Sequence, residues 1–260
     1  MGEAPRHVLT YDGFDPDQEG LREAICALGN GVFVSRAACS WSRADDVHYP
    51  GTYLAGGYDR LTTQIAGRDV ENEDLVNLPN WLPVTFRLGD GPWFRGGADN
   101  VRAYRLALDI DAGIARWEAR LRHDGLDDLA WSERRAVHIE EPHLAVQEVV
   151  LKVDEDEEDP PGPVTIRAGV DGSVENSGVE RYEDLDGRHL DVLDVGGRAD
   201  VASGVRHQMQ HAAGSTSTTV WVSARTTSSE LRVAVAARIE IDGLSDAGAP
   251  HVVTDGLRSY

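Results

Sequence analysis

Alternation of apolar and polar positions dominates the chain. Tyr104, Leu106, Leu108 and Ile110 alternate with Arg105, Ala107 and Asp109, and Trp117, Ala119 and Leu121 alternate with Glu118, Arg120 and Arg122. Val164, Ile166, Ala168 and Val170 repeat the pattern, and Leu231, Val233, Val235, Ala237, Ile239 and Ile241 make the longest ladder. A period of two puts each apolar set on one face of a strand. The stretch 143–153 is more continuously apolar and predicts a strand buried on both faces. Turn chemistry separates the runs: Gly89-Asp-Gly-Pro92, Asp111-Ala-Gly113, His123-Asp-Gly125, Asp171-Gly172 and Asp242-Gly243. Short strands joined by such turns predict an all-β fold, a large antiparallel β-sandwich of two sheets with about twelve or more strands. One short helix is expected from Asp17 to Leu28, closed by Gly29. With no repeat and no linker, residues 1–260 read as a single domain.

Charge narrows the partners. Lys and Arg total 25 against 45 Asp and Glu, a net charge of −20 in 260 residues. Such a field repels nucleic acid and anionic membranes, so neither is expected as a partner. Lys152 is the only lysine, which fits a GC-rich genome, and the acid excess fits a salt-adapted host equally well. No apolar run approaches the ~20 residues of a membrane-spanning helix. The opening Met1-Gly-Glu-Ala-Pro-Arg6 has no apolar signal core, so the expected compartment is the cytoplasm. Cys26 and Cys39 form no framework and read as reduced core residues.

Chemistry-bearing patterns are sparse. No nucleophile elbow, Cys/His pair or phosphate-cradling glycine loop is present, and no catalytic residue is assigned. His207 and His211 fall on an expected strand, where four residues span about 13 Å, too far to share one zinc. The run Asp154-Glu-Asp-Glu-Glu-Asp159, followed by Pro160-Pro-Gly-Pro163, reads as a solvated loop or a weak divalent-cation site, and no metal residue is assigned. The segment 41–93 differs from the rest. It gathers Trp41, His48, Tyr49, Tyr53, Tyr58, Trp81 and Trp93 among carboxylates. Aromatic faces stack on sugar rings while carboxylates bind hydroxyls, but aromatics also bury large areas in a core. Both readings stand.

Further motifs run along the chain: Ala27-Leu-Gly-Asn-Gly31, His48-Tyr-Pro-Gly-Thr-Tyr-Leu-Ala-Gly56 with Tyr58-Asp59, and Leu75-Val-Asn-Leu-Pro-Asn-Trp81. Tyr104-Arg-Leu-Ala-Leu-Asp109, Pro142-His-Leu144 and Asp171-Gly-Ser-Val-Glu-Asn176 follow. In content and order these stretches resemble the N-terminal domain of glycoside hydrolase family 65, which includes maltose, trehalose and kojibiose phosphorylases. Val32–Ala38 departs from the family's text, with Ala37 where glycine is usual, so phosphorolysis and hydrolysis both stay open.

The resemblance implies a galactose-mutarotase-like supersandwich. In the family a helical linker and an (α/α)6 barrel follow, and the barrel carries the general acid and binds phosphate. The resemblance therefore implies a fragment or truncated product, inactive alone, of an inverting enzyme that acts on a disaccharide such as trehalose, maltose or kojibiose. Its implied partners are the barrel of the same polypeptide and the disaccharide, with homodimerisation a further option. No cofactor is implied, and inorganic phosphate would be a co-substrate if the parent is a phosphorylase. His48, Tyr49, Tyr53, Tyr58 and Trp81 are the residues expected at the substrate or the barrel interface. A stand-alone carbohydrate-binding module and a purely structural dimerisation domain are the alternatives.

Overall fold

The computed structural model describes residues 7–153, 164–177, 184–200 and 216–241. The elements run β1 (Val8–Asp12), α1 (Pro16–Ile25), β2 (Leu28–Gly29), β3 (Phe33–Ser35), β4 (Thr52–Leu54), β5 (Tyr58–Ile65), β6 (Arg68–Leu75), β7 (Val84–Leu88) and β8 (Val101–Asp109). They continue with β9 (Ile114–His123), β10 (Leu126–Val137), β11 (Ala145–Val153), β12 (Val164–Ala168), β13 (Leu190–Asp200), β14 (Thr216–Thr226) and β15 (Arg232–Ile241). All strand pairs are antiparallel. The fold is all-β, as the periodicity predicts.

The largest sheet has the order β1-β8-β9-β10-β11. In β9, Ala115, Trp117, Ala119, Leu121 and His123 are buried while the residues between them are exposed. Asp124 (φ 49°) and Gly125 (φ 90°) close the β9–β10 hairpin with the two positive φ values of a type I′ turn. The inner face of this sheet packs on Phe86 and Leu88 of β7, Val164 and Ile166 of β12, and Trp41 and Phe94 from connecting segments. Edge-on and stacked ring pairs, such as Trp41 with Trp131 at 5.1 Å and Phe86 with Phe94 at 5.0 Å, fill the centre. A second cluster of Val76, Leu78, Leu190 and Ala224 joins the β13-β14-β15 sheet to the segment after β6. Cys26 and Cys39 are free and buried in the main core.

Three local expectations are corrected. The helix begins one residue early, at Pro16, where Asp15 caps it by accepting the Asp17 N–H at 3.1 Å. It stops at Ile25 rather than Leu28, because Leu28 and Gly29 pair with Ser35 and Val34 as a strand. Strand β11 is not buried on both faces. It is an edge strand paired to β10, and its outward Val146 is 62% exposed. The segment 48–58 contains β4 and the first residue of β5. The acidic run 154–159, the prolines after it, His207, His211 and Asp242-Gly243 lie outside the described residues.

Candidate functional site

Three of the singled-out motifs meet around Asn77. Its side-chain oxygen accepts the Thr52 N–H at 3.0 Å, and its amide donates to the carbonyls of Pro50 and Glu175. The Asn77 N–H in turn donates to Asn176 Oδ1, and Asn176 donates to the Leu75 carbonyl. Asn80 exchanges two backbone bonds with Asp171 and accepts from the Leu82 N–H. Short amides do this because one side chain offers both donor and acceptor to backbone that no ladder reaches. The stretches 48–56, 75–81 and 171–176 are thereby one hydrogen-bonded unit.

His48 sits inside this unit, 5% exposed. Its Nδ1 meets Glu23 Oε1 of α1 at 2.8 Å, while Glu23 Oε2 accepts the Tyr49 N–H. Burial alone would lower the His48 pKa, but the hydrogen bond and charge of Glu23, with Asp45 and Glu19, outweigh it and hold the pKa above the ordinary value. His48 Nε2 is buried without a hydrogen-bond partner. Arg36 stacks over the Tyr49 ring and donates to the Tyr49 and Gly20 carbonyls. The Tyr49 hydroxyl accepts the Ser177 N–H, and Tyr53 packs against Gly51, where a Cβ would come within 2.7 Å of the Tyr53 ring. Burial first, then the neighbouring Tyr49, pushes the Tyr53 phenol well above its usual range.

Tyr58 and Trp81 lie apart from that centre. Tyr58 is half exposed at the rim of a shallow groove of about 230 Å³ with Asp59, Arg60, Glu73, Ser228 and Ser229. Trp81 is half-buried, and the Arg135 guanidinium lies over its ring at 5.7 Å. So the structure brings His48, Tyr49 and Tyr53 together and places Tyr58 and Trp81 elsewhere on the same motifs.

Two buried polar clusters went unread in the sequence. Glu133 and Arg135 pair inside the sandwich; Glu133 accepts from the Ser40 N–H and hydroxyl, and Arg135 donates to the Arg36 and Ala38 carbonyls. Extending the inward set Leu129 and Trp131 by two and four positions would have found them. His189 lies between Asp59 (3.3 Å) and Asp74 (3.1 Å), and Asp59 also accepts the N–H groups of Ser228 and Ser229. These partners are over 100 residues apart, and no local pattern marks them. The chemistry of the whole arrangement is support: the oxygens of Glu23, Asp59 and Glu133 are spent on holding backbone and side chains of other segments.

Residues 9–257 match the glycosyl hydrolase family 65 N-terminal domain. The chain belongs to that family. An uncharacterized glycosyl hydrolase of Mycobacterium tuberculosis is 39% identical over 204 residues, covering 77% of this chain and 15% of that protein. The trehalose 6-phosphate phosphorylase of Lactococcus lactis is 29% identical, covering 72% of this chain and 23% of that protein. The kojibiose phosphorylase of Halothermothrix orenii is 26% identical, covering 73% and 22%. A solved structure titled as a putative kojibiose phosphorylase from the human microbiome shares the fold, with a TM-score of 0.57 at 13% identity over 92% of this chain and 31% of that one. This family 65 domain therefore spans less than a quarter of the length of these curated relatives. Among the described residues no helix is long and apolar enough to cross a membrane.

Proposed function

We propose that the chain is the non-catalytic N-terminal domain of an α-glucoside phosphorylase or hydrolase that acts on a disaccharide such as trehalose, maltose or kojibiose. Coverage carries this reading: the family match runs through residues 9–257 of this chain, yet the 189–204 residues that align with these relatives are 15–23% of their length. The chemistry then belongs to the remaining length, an (α/α)6 barrel in which a Glu protonates the glycosidic oxygen. Phosphate, as co-substrate, or an activated water attacks the anomeric carbon with inversion. The domain itself needs no cofactor, and the enzyme works in the cytoplasm. Its part is to support the barrel, shape substrate access or pair two copies.

Within that role, the unit built on Asn77 is the part that faces the barrel. His48, Tyr49 and Tyr53 fix the 48–56 segment, and Tyr58 and Trp81 offer separate aromatic surfaces away from that centre. Two measurements test the proposal. The purified chain, given trehalose, maltose or kojibiose with and without phosphate, should release neither glucose nor glucose 1-phosphate; release of either rejects it. In the full-length enzyme, Tyr53→Ala should raise the Michaelis constant measured on the folded fraction. Loss of stability with unchanged substrate affinity would instead make Tyr53 a packing residue.

A further inference from the structure

We infer that Arg87 and Arg167, which lie over Trp93 on the outer face of the β7–β12 pair, form with the neighbouring Arg43 and Arg95 an anion site that takes a phosphate group. The register sets the geometry. Arg87 pairs with Thr165 and Thr85 with Arg167, so these four residues share one face while Phe86, Leu88, Val164 and Ile166 turn into the core. Arg87 and Arg167 are diagonal neighbours there. Both guanidinium groups lie over the ring of Trp93, at 5.1 Å and 4.0 Å. Arg43 lies close enough to Arg95 and Arg167 to feel their charge.

What makes the cluster unusual is that, among the described residues, its guanidinium groups form no ion pair, the charge of Asp171 reaching Arg43 only from beyond 4 Å. Twelve described arginines hold a carboxylate within 4 Å: Arg22, Arg36, Arg60 and Arg105, then Arg116, Arg120, Arg122 and Arg134, and finally Arg135, Arg188, Arg225 and Arg238. None of these four does among the described residues, in a chain where acids outnumber bases 45 to 25. Like charges held together repel: partial burial, then Arg95 and Arg167, outweigh the opposing charge of Asp171 and hold the Arg43 guanidinium below its ordinary value. The Nε of Arg87 is buried without an acceptor, a cost that a bound oxyanion would remove.

A phosphate dianion fits this set better than the other anions at hand. Its tetrahedral oxygens accept from several guanidinium forks at once, and its double charge offsets more of the cluster than one carboxylate can. Polyanions are disfavoured by the −20 field of the chain as a whole. Free phosphate and a phosphate monoester share this chemistry, and the test separates them.

The chain is titrated with inorganic phosphate and, separately, with glucose 6-phosphate, with chloride holding ionic strength constant and glucose as blank. Tryptophan fluorescence and heat are followed. Saturable binding in either arm is expected, and the tighter arm names the source. The Arg43→Gln/Arg95→Gln double variant changes two exposed side chains, so it should melt like the parent and bind about tenfold more weakly. Arg87→Gln/Arg167→Gln should abolish saturation. Absence of saturable binding in both arms, or unchanged affinity in the Arg43→Gln/Arg95→Gln variant, overturns the site. So does a six-aspartate peptide that binds while neither phosphate does, which would assign the face to an acidic protein partner. The titration uses this chain alone, so its failure leaves the reading of the parent enzyme untouched.

Discussion

Glu133 and Arg135, two residues apart on β10, form an ion pair inside the sandwich with side chains 0% and 1% exposed. Each charge is also held by backbone: Glu133 by the Ser40 N–H, Arg135 by the Arg36 and Ala38 carbonyls. Arg135 further lies over the Trp117 ring at 4.6 Å. A buried pair stabilises little compared with a hydrophobic replacement, but removing one partner strands the other charge. Arg135→Ala should therefore cost about 3–5 kcal/mol, and Glu133→Gln less, because the amide oxygen can still accept from Ser40. Urea denaturation of both variants measures this. Equal, small losses would mean that the pair is hydrated in solution.

Gly96 is a second sensitive point. A Cβ there would lie 2.3 Å from Nε1 of Trp41, and Trp41 is wedged against Phe94 and Trp131. With the indole unable to retreat, the backbone has to shift. Gly96→Ala should destabilise by roughly 1–3 kcal/mol, an overpacking cost. Near-ultraviolet circular dichroism should change with it, since the Trp41 environment is what moves.

Ala66 offers the opposite case. It occupies the first turn position of the β5–β6 hairpin at φ 50°, with Gly67 at φ 78° after it. Such a turn suits Asn-Gly, and a left-handed alanine is strained. Ala66→Asn should raise stability by about 1 kcal/mol with no change in the fold. A lower urea midpoint in the variant would show that Ala66 has a packing role.

Two groups set opposite limbs of the pH profile. Burial alone would raise the Asp59 pKa, but hydrogen bonds from Ser229, His189 and Thr227 outweigh it and hold it below 3.8. Its contribution is present above that value and is lost as pH falls through the lowered folded value. His48 has a raised pKa, so its contribution is complete below 6.5 and is lost as pH rises through the folded value. Urea midpoints measured across both windows should fall at each end. Glu23→Gln should flatten the alkaline limb and Asp59→Asn the acid limb, the latter at a cost of roughly 1–3 kcal/mol near neutrality. Limbs unchanged by these variants would assign the titrations to other groups.

How much of this was legible in the sequence depends on range. The inward set Trp117, Ala119, Leu121 and the turn at Asp124-Gly125 were readable because period and turn chemistry are local. The end of α1 was misread because Leu28-Gly29 is claimed by pairing with Val34-Ser35, which no helix signal announces. Strand β11 was overread because its valines look like core although the sheet ends there. The candidate site was half legible. Composition singled out the segment 41–93, but the Asn77 contacts that fix its 48–56 stretch and the Glu23–His48 bond from α1 join residues distant in sequence. The cation cluster at Trp93 was invisible for the same reason, since Arg43, Arg87 and Arg167 come from three separate stretches.

The pairing of β1 with β8 bears on how the chain is made. Val8 lies opposite Asp109, so the first strand has no partner until about a hundred further residues have left the ribosome. At roughly 5–20 residues per second that is an interval of about 5–20 seconds. Strand β7 waits in the same way, because Phe86 faces Ile166 across its only named pairing. The nascent polypeptide thus carries two open strand edges through much of this domain's synthesis, whereas α1, the β2–β3 pair and the hairpins β5–β6 and β8–β9–β10 have their partners directly at hand.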